Sequence, residues 1–204
     1  MIFWNRKKND IVALNGKGSA LSELGRYPEV IGCFDEALAI DGNDIFALNE
    51  KGLALFKLGR YPEAIGCSEK ALAIDGNNIF ALYGKGLALS ELGRYEEAIE
   101  CYDEALAIDG NNIFALNEKG YALSKLRRYP EAIGCFDKAL AIDGNDIVTL
   151  YGKGSALSKL GRYPEAIGCY DEALAIDGNN IVTLYGKGSA LSKLGRYPDR
   201  KSVV

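Results

Sequence analysis

Apolar and polar positions recur along the chain with a strict period of 34 residues. The clearest marker is the segment LGRYP, which returns six times with at most one substitution and with no insertion or deletion between copies. Its copies lie at 24–28, 58–62, 92–96, 126–130, 160–164 and 194–198. A fixed period of this length is typical of a solenoid, in which every repeat packs against its neighbours in the same way.

Within one repeat, the pattern predicts two helices joined by a tight turn. Asp44 is a favourable N-cap for a first helix over Ile45–Leu58, whose apolar residues follow helical spacing. Gly59 ends this helix, because glycine readily adopts the left-handed conformation. Pro62 then opens a second helix that runs to about Asp75, since proline is tolerated in a first helical turn. Such short connections force antiparallel packing, so each repeat is predicted to be a helical hairpin.

Small residues predict that the two helices of a repeat approach each other closely. Gly52 stands in the middle of the first helix, where glycine costs about 1 kcal/mol relative to alanine. Ala64 and Ala71 lie on the second helix. The mid-helix glycine recurs as Gly18, Gly52, Gly86, Gly120, Gly154 and Gly188. Its recurrence indicates a contact that a Cβ atom would block.

These features resemble the tetratricopeptide repeat (TPR) family over residues 10–198. The resemblance rests on the period, the hairpin pattern and the spacing of Leu48, Gly52, Leu55, Tyr61, Ala64 and Ala71. It implies an all-α fold, a right-handed superhelical solenoid of antiparallel helix pairs whose first helices line a concave groove. The chain departs from the family pattern by carrying lysine before the mid-helix glycine. It also carries glycine where a proline usually follows the second helix, at Gly42, Gly76, Gly110, Gly144 and Gly178.

The period divides the chain into five complete hairpins and a sixth first helix. The hairpins are expected at 10–43, 44–77, 78–111, 112–145 and 146–179, and the sixth first helix at 180–194. The first helix is expected to begin at Ile11, which leaves 1–9 as an N-terminal extension and 199–204 as a C-terminal tail. Ser68 replaces the aromatic residue that the other repeats carry at this position, so we expect the second repeat to pack least well.

Composition and charge narrow the class of function. The chain has 204 residues, of which 48% are hydrophobic and 25% charged, and a net charge of −4. It has no apolar run of the roughly 18 residues that a membrane span requires, and its start does not resemble a signal peptide, which predicts a cytoplasmic protein without a membrane partner. Charges of both signs are interspersed, whereas a nucleic-acid binder usually presents a basic face. We therefore expect no nucleic-acid partner.

The residues also argue against catalysis. The chain contains no histidine, which removes the commonest general base and a common metal ligand. An odd number of cysteines without a secretion signal argues against a disulfide framework, so we interpret them as free core thiols rather than metal or redox groups. They are Cys33, Cys67, Cys101, Cys135 and Cys169. We predict that the protein is not an enzyme and has no cofactor or metal site.

The resemblance implies that ligands bind in the groove formed by the first helices. Asparagine and tyrosine on this face are suited to holding an extended peptide and its backbone amides. The predicted groove residues are Asn15, Phe46, Asn49, Phe80, Tyr83, Phe114, Asn117, Tyr121, Tyr151 and Tyr185. The alternative interpretation is that these residues only line the inner surface of the solenoid.

A lysine precedes each mid-helix glycine, and we call this set the lysine row. Its members are Lys17, Lys51, Lys85, Lys119, Lys153 and Lys187. A charge on this mostly buried stripe requires a partner, so one interpretation is that the stems pack while the ammonium groups reach water or an acid. The predicted acids are Asp41, Asp75, Asp109, Asp143 and Asp177. The alternative is a cationic track for an acidic ligand.

The two ends of the array carry apolar residues that a neighbouring repeat would cover. Residues 180–194 repeat 146–160 with one change, so Leu184, Leu191 and Leu194 keep an apolar face, and Phe3 and Trp4 stand before the first helix. Complementary apolar ends favour head-to-tail stacking of copies, although the N-terminal segment could instead fold over its own first repeat. Two functions stay open: a scaffold that binds a protein or peptide partner, and a self-assembling homo-oligomer.

Overall fold

The computed structural model describes residues 2–196, and the side chains of residues 7–195. The described residues form eleven α-helices and no strand, which confirms the predicted all-α class. In chain order the helices are α1 (Ile2–Glu23), α2 (Tyr27–Ile40), α3 (Ile45–Lys57), α4 (Tyr61–Ile74), α5 (Ile79–Glu91), α6 (Tyr95–Ile108), α7 (Ile113–Lys125), α8 (Tyr129–Ile142), α9 (Ile147–Lys159), α10 (Tyr163–Ile176) and α11 (Ile181–Arg196).

The local signals of the sequence set the ends of these helices. The Asp44 carboxylate caps α3 by accepting the backbone N–H of Ala47 at 3.1 Å. Gly59 adopts a φ of +74° after α3, and this left-handed residue reverses the chain into α4. Pro62 stands in the first turn of α4, where no intrahelical bond to its nitrogen is needed. The predicted helical hairpin is therefore confirmed in its caps and in its turn.

Helices of adjacent repeats share one core. Leu48 of α3, Ala71 of α4 and Ala81 of α5 form a buried cluster, and each is at most 2% exposed. Leu38 and Leu72 pack against this cluster from the second helices of two repeats. Because a second helix lies between two first helices, neither repeat could bury these residues alone, and stability is shared between neighbours.

The chain divides into two compact units. The first unit, Met1–Asp109, contains α1–α6, and the second, Gly110–Val204, contains α7–α11. In the first unit each of the six helices packs against its neighbour in sequence. The same holds for the five helices of the second unit. Each unit is thus a short array of antiparallel helix pairs.

Two local features differ from the expected pattern. Helix α1 begins at Ile2 rather than at Ile11, so residues 2–9 extend the first helix. The later first helices are preceded by a glycine turn such as Gly42, whereas Lys8 stands at the matching position here and nothing stops the helix. Arg127 takes the place of the turn glycine and keeps its left-handed conformation, with a φ of +62°. This backbone shape is unfavourable for a residue with a side chain.

Candidate functional site

One position of each first helix carries an apolar side chain that remains exposed. We call these six residues the apolar row: Val12, Phe46 and Phe80 in the first unit, and Phe114, Val148 and Val182 in the second. Their exposed fractions run from 47% for Phe46 to 79% for Phe80. Exposed apolar residues that are scattered singly are ordinary, so the notable feature is their recurrence at one helix position within each unit.

The asparagines predicted for the groove join neighbouring repeats. In each case the side-chain amide donates to the N-cap residue of the next first helix. The pairs are Asn15–Asp44 at 3.0 Å, Asn49–Asn78 at 3.3 Å and Asn117–Asp146 at 3.0 Å. These amides therefore make contacts within the fold. Each N-cap side chain both caps its own helix and accepts a hydrogen bond from the preceding repeat.

The carbonyl oxygens of the same asparagines have different surroundings. In the second unit, Thr149 donates its hydroxyl to Asn117 Oδ1 at 2.7 Å. In the first unit alanine replaces this threonine, and the corresponding buried oxygens have no hydrogen-bond partner among the described residues. The asparagine and alanine pairs are Asn15 with Ala47 and Asn49 with Ala81. The polar network between repeats is thus more complete around Asn117.

The groove tyrosines pack against rings of the second helices. Three are half-buried, with ring centroids 6.2 Å apart for Tyr83 and Tyr102, 5.3 Å for Tyr121 and Phe136, and 5.9 Å for Tyr151 and Tyr170. Tyr121 also donates its hydroxyl to the Val148 carbonyl at 2.9 Å, and burial raises the pKa of this phenol. Tyr185 is 81% exposed, so it presents a ring to solvent.

In four repeats a buried ring on the second helix fills the space beside the mid-helix glycine, which is Gly18, Gly86, Gly120 or Gly154. The predicted block of a Cβ atom is not found at Gly52, where the nearest atom lies at 3.4 Å, or at Gly188, where no atom of the described residues lies within 4 Å. Phe136 illustrates the fit: a Cβ atom would lie 2.7 Å from its ring at Gly120 and 2.8 Å at Gly152. A Cβ atom at either position would clash with this ring, as the sequence predicted for Gly120. The ring residues are Phe34, Tyr102, Phe136 and Tyr170, each at most 2% exposed.

Ser68 stands at the ring position of the second repeat and leaves a cavity of about 220 Å³. Its lining includes Gly52, Leu53, Phe56, Phe80, Gly84 and Leu87. We call it the repeat-two cavity. It lies wholly within the first unit, and the groove residues Asn49, Phe80 and Tyr83 also line it. The substitution was visible in the sequence, but its consequence, an open cavity beside the groove residues, was not.

Four members of the lysine row pair with acids in the middle of the preceding second helix. The ion pairs are Lys51–Asp35, Lys85–Glu69 at 3.0 Å, Lys153–Asp137 at 2.7 Å and Lys187–Asp171 at 2.5 Å. The prediction of partners at the ends of those helices was wrong for Asp41, Asp75, Asp143 and Asp177. These carboxylates instead accept the backbone N–H two residues further on, at 3.0–3.1 Å. Partial burial of the paired lysines agrees with stems that pack and ammonium groups that reach an acid.

The residues predicted for self-association lie partly in α11. Leu184 and Leu191 are each 48% exposed, whereas Leu150 and Leu157 at the matching positions of α9 are 1% and 2% exposed. Leu194 is half-buried. The side chains of Phe3 and Trp4 lie outside the described residues, as does the tail at 199–204.

The five cysteines are buried and none of them forms a disulfide, as predicted. Burial raises the pKa of the Cys101 thiol to about 11, so it stays protonated at neutral pH. Among the described residues, no group of three or more Cys, Asp or Glu side chains is arranged to hold a metal ion. Within residues 2–196, no helix combines the length and apolar character needed to cross a membrane.

Solved structures with the same fold share little sequence with this chain. YrrB, described as a TPR protein with an unusual peptide-binding site, is 22% identical, with 90% of this chain and 95% of that chain covered and a TM-score of 0.73. MamA is 19% identical, with 94% and 97% covered and a TM-score of 0.73. A TPR protein from Parabacteroides merdae is 19% identical, with 92% and 75% covered and a TM-score of 0.80. These likenesses show the fold alone.

The sequence itself carries the family assignment. No curated protein matches the chain. The sequence model of the tetratricopeptide repeat family matches residues 44–111, 77–143 and 111–178, which together span well over half of the chain. The period, the helix pairs and these matches agree: the chain belongs to the tetratricopeptide repeat family, whose members are generally scaffolds for protein interactions.

Proposed function

We propose that this protein is an interaction scaffold that binds a peptide or protein segment on the face formed by its first helices. The apolar row carries the proposal. It places large apolar side chains at one position of successive first helices, and exposure of such residues in a regular series favours a partner that covers them. A partner that covers several of them would bury apolar surface at about 25 cal/mol per Å².

The contacts of the groove residues refine this proposal. The amides of Asn15, Asn49 and Asn117 donate within the fold, so the exposed rings make the main contacts with the partner. Aromatic side chains are the usual anchors of protein interfaces, because they bury a large area with few rotatable bonds. YrrB, with its peptide-binding site, supplies a precedent within the same fold.

The test begins with peptides selected from a random library on the intact chain, followed by titration calorimetry with variants. Phe114→Ala is the perturbation, because Phe114 is 71% exposed and its loss leaves the fold intact. We expect affinity to fall by roughly tenfold or more, since a buried phenylalanine ring stabilises a complex by about 1.5–3 kcal/mol. Leu24→Ala is the matched control, because Leu24 is also 71% exposed and lies outside the apolar row. Equal affinity for both variants and the wild type would refute the proposal.

Self-association through α11 is a second candidate function. The exposure of Leu184 and Leu191 supports it, because leucines at these positions are buried in the preceding repeats. Apolar surface of this kind favours a copy-to-copy contact. Light scattering over a range of concentrations tests the idea, with the double variant Leu184→Gln and Leu191→Gln as the perturbation. A monomer mass that does not change with concentration would exclude it.

A further inference from the structure

The second repeat lacks the buried ring that the other complete repeats supply. Phe34, Tyr102, Phe136 and Tyr170 occupy this position elsewhere, and Ser68 occupies it here. A serine side chain cannot fill the volume of a phenyl ring, and the repeat-two cavity opens at this point. The sister repeats therefore show which chemical group this part of the fold accepts.

The glycines beside Ser68 preserve the shape of a ring site. At Gly152 a Cβ atom would lie 2.8 Å from the Phe136 ring, but at the matching Gly84 the nearest atom is Ser68 Oγ at 3.6 Å. Space that a ring fills in the fourth repeat is thus open in the second. The cavity measures about 220 Å³, and an apolar protein cavity of roughly 150 Å³ accepts benzene.

The surroundings of Phe80 give further support. Phe46, the matching residue of the apolar row, packs edge-on against the Phe34 ring with centroids 6.1 Å apart, and it is 47% exposed. Phe80 lines the cavity together with Ser68, which stands where Phe34 stands beside Phe46. A ring placed in the repeat-two cavity would restore this edge-on contact, which favours aromatic over aliphatic occupants.

The end of the cavity favours phenylalanine over tyrosine. In the third repeat, the Tyr102 hydroxyl lies 3.3 Å from Ser90 Oγ, and the two groups share a hydrogen bond. Phe56 stands at the position of Ser90 in the second repeat and lines the cavity. A tyrosine hydroxyl buried against Phe56 would have no such partner, and an unsatisfied buried hydroxyl is costly.

We infer that the repeat-two cavity binds the phenyl ring of a phenylalanine side chain presented by a bound peptide. The bound ring takes the place that Phe136 takes in its own repeat, between Gly52 and Gly84 and against Phe80. This inference rests on the proposed function, because the peptide that carries the ring lies on the first helices. It adds the identity of the anchor residue and its place in the fold.

Gly84→Ala is the sharpest test, because it places a methyl group where the bound ring would lie. Its Cβ meets nothing closer than 3.6 Å in the free protein, so the variant folds, whereas a Cβ at the matching Gly152 or Gly186 would lie 2.8 or 2.9 Å from a ring. Gly16→Ala is the matched control, because it makes the same change at the same helix position and its Cβ meets nothing within 4 Å. Ser68→Phe is a second variant that fills the cavity with the ring found in other repeats.

The probes are N-acetyl-phenylalaninamide and its tyrosine and leucine analogues, titrated against the intact chain by NMR. We expect the phenylalanine compound to bind saturably, and the tyrosine compound to bind more weakly by roughly tenfold. Gly84→Ala and Ser68→Phe should each weaken the phenylalanine compound by roughly tenfold or more, and Gly16→Ala should leave it unchanged. Absence of saturable binding, or equal binding to wild type and Gly84→Ala, would overturn the inference.

The library peptides separate this inference from the proposed function. If the peptides need Phe114 but bind wild type and Gly84→Ala equally, the proposed scaffold function is supported and the inference about the cavity is overturned. Loss of peptide affinity in Gly84→Ala, together with loss when the peptide's phenylalanine becomes alanine, would support both. Peptide binding that depends on neither Phe114 nor Gly84 would overturn both.

Discussion

Thr149→Val removes one hydroxyl from the contact between two repeats of the second unit. Thr149 is fully buried and donates to Asn117 Oδ1 at 2.7 Å, and its hydroxyl also contacts the Asp146 carboxylate. Valine has nearly the same shape, so the substitution deletes the hydrogen bond without opening a cavity. Asn117 is 7% exposed, and its oxygen would lose this donor in a site with little access to water.

The expected loss follows from the cost of an unpaired buried acceptor, about 1–3 kcal/mol. Thr183→Val is a matched control, because Thr183 is equally buried and donates to its own N-cap residue, Asn180, at 2.9 Å. Tyr151 stands at the position that matches Asn117 in the preceding repeat, so Thr183→Val removes only the hydrogen bond to Asn180. We expect Thr149→Val to lower the free energy of unfolding by about 1 kcal/mol more than Thr183→Val.

Urea unfolding followed by circular dichroism measures both variants against the wild type. In a chain of this size, 1 kcal/mol corresponds to about 2–4 °C in Tm, so thermal unfolding gives a second readout. Equal destabilisation by the two variants would show that the hydroxyl bond to Asn117 contributes nothing between repeats. That outcome would contradict the prediction.

Three further predictions concern stability. Ala47→Thr should be about 1 kcal/mol more stable than Ala47→Val in urea, because its hydroxyl can reach the unpaired oxygen of Asn15; equal stability would contradict this. Arg127→Gly should raise the free energy of unfolding by about 1 kcal/mol, because Arg127 has a φ of +62°, and Arg127→Ala should give no such gain. Burial raises the pKa of Glu50, so folding disfavours its ionised form. Glu50→Gln should therefore raise Tm at neutral pH, and this gain should vanish as the pH falls below about 4.3, where the unfolded chain also holds the proton.

Helix boundaries could be predicted from the sequence where a single residue determines the local backbone conformation. Asp44 and Gly59 occupy the cap and turn that their chemistry favours, and the 34-residue period extends this result to each later repeat. The start of α1 could not be predicted in this way, because it depends on the absence of a helix-terminating residue before Asp10. A helix continues through residues that tolerate it, and a sequence pattern taken from other repeats does not reveal this.

The partners of the lysine row required the packed structure. Asp35 and Asp41 both lie in the hairpin that precedes the one with Lys51, and spacing along the chain does not tell which of them contacts the lysine. The orientation of α2 against α3 brings Asp35 to the ammonium group, while Asp41 closes its own turn by accepting from Asn43. Such choices depend on the crossing geometry of two helices, which no single segment encodes.

The candidate site was only partly predictable for a similar reason. The exposed rings of Phe46 and Phe80 follow from their position on the first helices, and the structure places them at the surface. Asn49 lies one turn after Phe46 on the same helix, but its amide donates to Asn78 of the next repeat. An amide can serve a ligand or a neighbouring helix equally well, and the distance between repeats decides between them.

Each complete repeat carries one buried cysteine, and the alkylation rate of that thiol can be measured separately for each repeat. A buried thiol does not react with an alkylating reagent until its helix pair opens, so the rate of alkylation reports the frequency of opening. Because Cys33, Cys67, Cys101, Cys135 and Cys169 lie on five different tryptic segments, mass spectrometry can time all five in one sample. Occupation of the first helices by a partner would then appear as a slowing confined to the repeats that it touches.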